Sequence, residues 1–131
     1  MALLQVLVAA PARDPFTSEL VRFLESNSCE VIASQDSEGA LRIARDRRPA
    51  AIVLETMLQD GDGLSLCRQL RADPATAGIP IFFYSVLMAH DRCLEAGADG
   101  FMLKPVEQRL LLERVREAVK VRAVRRLPHQ P

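Results

Sequence analysis

Short apolar runs alternate along the whole chain with stretches in which apolar residues recur every three or four positions. Leu4–Ala9 is a short continuous run, the pattern of a strand buried on both faces. After a loop over residues 11–15, Phe16, Leu20, Phe23 and Leu24 recur at helical spacing. Val31-Ile32-Ala33 predicts a second strand. Asp36 or Ser37 then caps a helix carrying Ala40, Leu41 and Ala44, which stops before Pro49. Ala51–Leu54 is the third strand, and Leu64, Cys67 and Leu70 form the stripe of a helix opened after Gly63. Asp73-Pro74 and Gly78 mark a loop before a fourth strand over 79–84. Asp91 starts a short helix that ends at Gly97, and Gly100–Leu103 is a fifth strand. A last helix is predicted over 107–124, with Leu110, Leu111, Val115, Ala118 and Val119 facing inward.

Strands that are each followed by a helix imply an α/β fold, an open parallel sheet covered on both faces. Right-handed crossovers put every loop that follows a strand on one edge of that sheet, and ligands of such folds bind outside that edge. Three polar residues end apolar runs there: Glu55 after Ala51–Leu54, Ser85 after the fourth run, and Lys104 after Phe101-Met102-Leu103. An acid, a hydroxyl and an amine at three strand ends describe one site.

Composition narrows the classes. The 131 residues make one domain by length, and 49% of them are hydrophobic, enough for a core. Seventeen basic residues balance seventeen acidic ones, so no global charge draws the chain to nucleic acid or anionic membranes. No apolar stretch approaches a membrane span. The apolar start lacks a basic n-region and reads as a first strand, not a signal peptide. Cys29, Cys67 and Cys93 are widely separated, fit no zinc motif, and are expected to pack as reduced apolar residues in a cytoplasmic protein.

Several pieces of the chain are similar to the receiver domains of two-component response regulators. They are Val53-Leu54-Glu55-Thr56-Met57-Leu58 with Asp62-Gly63-Leu64, Ile79-Pro80 leading to Ser85, and Glu95-Ala96-Gly97-Ala98-Asp99-Gly100-Phe101 leading to Lys104-Pro105. The resemblance covers residues 4–124. It implies a flavodoxin-like (βα)5 doubly wound parallel sheet with strand order 2-1-3-4-5. It also implies a receiver-like domain over 1–124, followed over 125–131 by a basic, proline-containing tail or linker remnant. In that family an Asp at the position of Glu55 accepts a phosphoryl group, and two acids after the first strand help it hold Mg²⁺. The hydroxyl at Ser85 and the amine at Lys104 contact the phosphoryl oxygens, and Lys104-Pro105 is commonly a cis bond. An aromatic at Phe101 reports the change to the helix 4–strand 5–helix 5 surface.

Two departures bear on function. The acceptor is Glu55, longer by a methylene, and the acidic pair is absent: the first strand runs into Ala9-Ala10-Pro11-Ala12, with Asp14 the nearest carboxylate. Ala10 and Pro11 offer no side-chain oxygen to a hard cation, and phosphoryl transfer depends on that metal. Loss of Mg²⁺ binding and of phosphorylation is therefore expected, with no cofactor and no catalytic residue. Glu55 then has two readings: a carboxylate paired with Lys104 and Ser85 that holds a phosphorylated-like arrangement, or a relic that biases nothing. The interval between Ser85 and Gly97 is also about one helical turn shorter than in typical receivers, so helix 4 should be short or irregular.

Other signals are weaker. Asp60-Gly61-Asp62-Gly63 lacks the rest of a calcium loop and reads as a turn, with an acid that is a remote alternative phosphoacceptor. His90 and His129 are lone surface histidines. The basic C-terminus, with Lys120, Arg122, Arg125 and Arg126, has no interleaved aromatic, so nucleic-acid binding is not expected of this domain. The resulting expectation is a pseudo-receiver, not an enzyme, whose partners are proteins: itself through the helix 4–strand 5–helix 5 face, a kinase, an effector or an output domain. The alternatives are a working switch on Glu55 or a nearby Asp, and a small-ligand binder on the same fold edge. The absence of a Gly-rich phosphate loop after the first strand counts against the last.

Overall fold

The computed structural model describes residues 3–105 and 108–125, with side chains of the last helix as far as residue 123. Five parallel strands form one sheet: β1 (Leu4–Ala9), β2 (Cys29–Ser34), β3 (Ala51–Leu54), β4 (Ile81–Ser85) and β5 (Gly100–Leu103), in the order β2-β1-β3-β4-β5. Between and after them run α1 (Pro15–Ser26), α2 (Ser37–Arg47), α3 (Gly63–Ala72), α4 (His90–Glu95) and α5 (Gln108–Arg125). This is the doubly wound, flavodoxin-like order expected from the sequence.

Alternating side chains of the strands feed two separate cores. Leu7, Ile52, Leu54, Ile81 and Phe83 pack with Ala40, Ala44, Leu66, Leu70 and Cys93 of α2, α3 and α4. Val6, Val8, Val53, Phe82, Tyr84 and Met102 pack on the other face with Leu20 and Leu24 of α1 and Leu111, Leu112 and Val115 of α5. β3 lies in the middle of the sheet and is buried at every position, as its unbroken apolar run requires. All three cysteines are buried and free, and burial pushes the thiols of Cys67 and Cys93 up to about 11.

Several details differ from the sequence-based expectation: β2 spans Cys29–Ser34 rather than 31–33, and α4 starts at His90 rather than Asp91. β4 begins at Ile81, not at 79: Pro80 has no N–H for the ladder, while the Ile79 N–H bonds the Thr76 carbonyl in the preceding turn. The strand also runs one residue further, because the Lys104 N–H bonds the Ser85 carbonyl at 2.7 Å. Leu110 is 42% exposed and does not face the core; Leu111 and Leu112 do, which turns the inward stripe one residue along the helix. The loop after Glu55 contains a small antiparallel hairpin, Met57–Leu58 against Gly61–Asp62. The predicted start of the last helix at Glu107 lies outside the described residues, as do Arg126, His129 and the rest of the tail beyond residue 125.

The expected short fourth helix is present: α4 has six residues and no side-chain cap at its start. Its tail turns at Gly97, whose φ of 109° is a left-handed conformation that a glycine takes without steric cost. No helix among the described residues is long and apolar enough to cross a membrane.

Candidate functional site

The topology brings Glu55, Ser85 and Lys104 together at the carboxyl edge of the sheet, each at the end of its strand. The Glu55 N–H bonds the Ala9 carbonyl at 2.9 Å, and the Lys104 N–H bonds the Ser85 carbonyl, so the backbone ladder itself fixes where these side chains begin. Asp14 enters from α1. Asp14 precedes Pro15, caps the helix by accepting from the N–H groups of Phe16 (3.1 Å) and Thr17 (3.3 Å), and so aims its second oxygen at the sheet edge.

The centre of the site is the Lys104 ammonium. It donates to Glu55 Oε2 at 2.7 Å, to Thr17 Oγ1 at 3.1 Å and to Asp14 Oδ2. Its side chain is 0% exposed, and those of Glu55 and Asp14 are 9% and 14% exposed. A buried ammonium needs this pairing to remain charged. The Tyr84 ring lies 5.2 Å from the same nitrogen, within reach of a cation–π attraction. Burial opposes the charged form of Asp14, but hydrogen bonds from Lys104 and Thr17 outweigh it and hold its pKa below the ordinary 3.8.

The other oxygen of Glu55 is also engaged. Oε1 accepts from the Thr56 N–H at 2.6 Å and from the Thr56 hydroxyl at 3.0 Å. Thr56 Oγ1 lies 3.0 Å from Ser85 Oγ, which accepts from the Leu87 N–H at 3.1 Å. Ser85 therefore does not bond Glu55 directly, as the sequence suggested, but through Thr56. Thr17 and Thr56, both buried, are site residues that the sequence did not reveal. The Asp14-Pro15 pair is a helix-start signal that points to the capping acid; nothing comparable marks Thr56.

Where the first strand ends, Ala10 is buried and Pro11 exposed, and neither brings a side-chain oxygen to the site. Among the described residues no three His, Cys, Asp or Glu side chains cluster so as to hold a metal ion. The mouth of the site is mainly apolar: Pro11, Phe16, Met57, Val86 and Leu87 line a cavity of about 350 Å³, with Arg13, Asp14 and Glu55 also on its wall. Lys104-Pro105 is a cis bond. Phe101 is half-buried beside α4, in edge-on contact with the His90 ring at 6.0 Å, and His90 is an exposed residue whose Nδ1 lies 3.1 Å from Asp91.

The acids of the loop have structural duties. Asp62 caps α3 through the Ser65 N–H at 2.6 Å. Asp60 reaches across to the start of α2, accepting from the Ser37 N–H at 2.7 Å, the Ser37 hydroxyl at 2.9 Å and the Glu38 N–H at 3.2 Å. The bond from the Ser37 N–H, followed by the other contacts at this helix start, lowers its pKa. A lowered folded pKa contributes stability that is complete above the unfolded value and is lost as pH falls through the folded one. Asp60→Asn is thus expected to melt below the parent chain at neutral pH, with the gap shrinking as pH falls below 3.8. Melting curves of both chains across that range check this; a gap that stays constant into acid would show that the Asp60 charge contributes nothing.

Comparison with known proteins gives a consistent relationship. The model of the response regulator receiver domain matches residues 13–116. Response regulator PleD of Caulobacter vibrioides is 35% identical over 111 residues, which cover 79% of this chain and 24% of PleD. Response regulator MprA of Mycobacterium sp. is 37% identical over 107 residues, covering 77% of this chain and 44% of MprA. The chain thus spans about a quarter to a half of the length of the curated relatives it matches. Among solved structures, the receiver domain of the Francisella response regulator 1452 superposes with a TM-score of 0.80 at 25% identity, covering 89% of this chain and 97% of that one. A CheY-like receiver domain of Methanospirillum hungatei JF-1, at 20% identity, shares the fold with a TM-score of 0.83 over 95% of this chain and 99% of its own.

Proposed function

Since the chain belongs to the response regulator receiver domain family, we propose that it is an atypical receiver, a pseudo-receiver of two-component or phosphorelay signalling that acts in the cytoplasm without being phosphorylated. One observation carries this reading: both carboxylate oxygens of Glu55 are already bound, one by Lys104 and one by Thr56. An acceptor so engaged is a poor nucleophile, and its longer arm misplaces the attacking oxygen; a 1 Å error alone costs on the order of 10²-fold. The donor set is equally unsuited to Mg²⁺, which takes oxygens in near-octahedral geometry. Two carboxylates converge here on an ammonium, and Ala10 and Pro11 end the first strand.

The ion pair between Glu55 and Lys104 favours the reading in which the site is held in one arrangement over that of an idle relic, because a paired buried charge constrains both strand ends. The output of such a module is protein contact. The face built by α4, β5 and α5 exposes one leucine from each element, Leu94, Leu103 and Leu110, and is the proposed contact surface for another copy, a kinase, an effector or an output domain. Treatment with acetyl phosphate, or with beryllofluoride and Mg²⁺, is expected to leave the mass and the amide spectrum of the chain unchanged. Stoichiometric phosphate incorporation that disappears in Glu55→Ala would establish a working switch instead.

A further inference from the structure

We propose that Met57 and Met88 form a reversible oxidation site, at which peroxide turns part of the carboxyl edge from apolar to polar. The chain has four methionines. Met102 is buried at 6% exposure, whereas Met57 is 64% and Met88 82% exposed. The two come from separate loops, Met57 from the hairpin after β3 and Met88 from the turn between β4 and α4. Both nevertheless line one cavity of about 390 Å³, with Leu64, Leu87 and Arg92. The proposal does not depend on whether Glu55 is phosphorylated.

Chemistry favours these two sulfurs over the thiols of the chain. A cysteine reacts with peroxide as its thiolate. Cys29, Cys67 and Cys93 are all buried, and burial raises each thiol above its ordinary value. A thioether has no proton to lose and needs only access. Its lone pair takes one oxygen from hydrogen peroxide: an S–O bond forms, the O–O bond breaks, and the second oxygen leaves as water with both peroxide protons. The sulfur gives up two electrons and the peroxide takes them. The product, a sulfoxide, replaces a flexible apolar group with a polar one that accepts hydrogen bonds.

Arg92 supplies the matching donor. It lines the cavity with both methionines and forms no salt bridge among the described residues. A guanidinium carries five N–H donors, and a thioether is only a weak acceptor for them. Oxidation puts a much better acceptor into the same cavity. Arg92 belongs to α4, so the new bond couples the oxidised loop to that helix.

Hydrogen peroxide treatment of the whole chain, followed by peptide mapping, tests the site. Met57 and Met88 should each gain one oxygen at least about tenfold faster than Met102. The melting temperature should stay within about 2 °C, as for a surface change. In the amide spectrum residues 57–62 and 86–95 should shift, together with the Arg92 Nε–H signal. Methionine sulfoxide reductases acting on both epimers should restore every one of these signals. Met57→Leu combined with Met88→Leu should leave the same residues indifferent to peroxide. Arg92→Gln should still be oxidised at both methionines, with the shifts over α4 lost. Equal rates at Met57, Met88 and Met102, or unfolding on oxidation, overturn the proposal. So does an Arg92 signal that stays in place in the oxidised parent, which would leave two accessible methionines and no switch.

Discussion

Lys104→Met is expected to lower stability in metal-free buffer by about 3–5 kcal/mol, because it leaves two largely buried carboxylates facing each other without their cation. The motivating geometry is a fully buried ammonium with three oxygen partners. An equivalent exposed pair would contribute only about 0–1 kcal/mol. Burial therefore decides the magnitude. For a domain of this size such a loss lowers the melting temperature by at least about 10 °C. Adding Glu55→Gln removes one of the stranded charges and should return about 1–3 kcal/mol, the coupling expected of side chains in contact. Urea unfolding of the parent, both single variants and the double variant closes the cycle. A Lys104→Met chain within about 1 kcal/mol of the parent would mean that the ion pair is not structural.

Gly63→Ala is the second large effect. A Cβ at residue 63 would lie 2.1 Å from the Glu55 carbonyl oxygen and 3.0 Å from the Phe83 ring. The oxygen is backbone and cannot swing aside, and the Gly63 N–H is bonded to the Thr56 carbonyl at 2.8 Å. Relief requires moving either the start of α3 or the end of β3, and with the latter the carboxylate that meets Lys104. Overpacking in a tight core costs about 1–3 kcal/mol, and a clash with fixed backbone should reach or exceed the top of that range. Gly61→Ala is the matched control, since nothing lies within 4 Å of its new methyl; it should stay within about 0.5 kcal/mol of the parent. Equal effects of the two substitutions would mean that helix propensity or backbone entropy, not contact with Glu55, governs Gly63.

The difference between these glycines also illustrates what a linear sequence can carry. The strands were legible because a parallel sheet buried on both faces needs unbroken apolar runs, and Ala51–Leu54 and Gly100–Leu103 match their predicted bounds. The placement of Glu55, Ser85 and Lys104 at one edge followed from the parallel sheet alone, since every strand ends at that edge. What failed to show were contacts that depend on side-chain direction. Leu110 and Leu111 are adjacent and identical, and only packing against the sheet decides which is buried. Thr56 is an ordinary residue in sequence, and its place between Glu55 and Ser85 exists only once two strand ends come within hydrogen-bond distance. Asp60 looked like a fragment of a metal loop, and its task, holding the start of α2, is set by a residue more than twenty positions away.

The three-membered row of Ser85, Thr56 and Glu55 has a polarity. A carboxylate only accepts, so Thr56 must give its hydroxyl proton to Glu55, and Ser85 must give its own to Thr56. The Leu87 amide then takes a lone pair of Ser85. Every proton in the row points toward the acid, so the Glu55 carboxylate orients the Ser85 hydroxyl through Thr56 although the two side chains never touch.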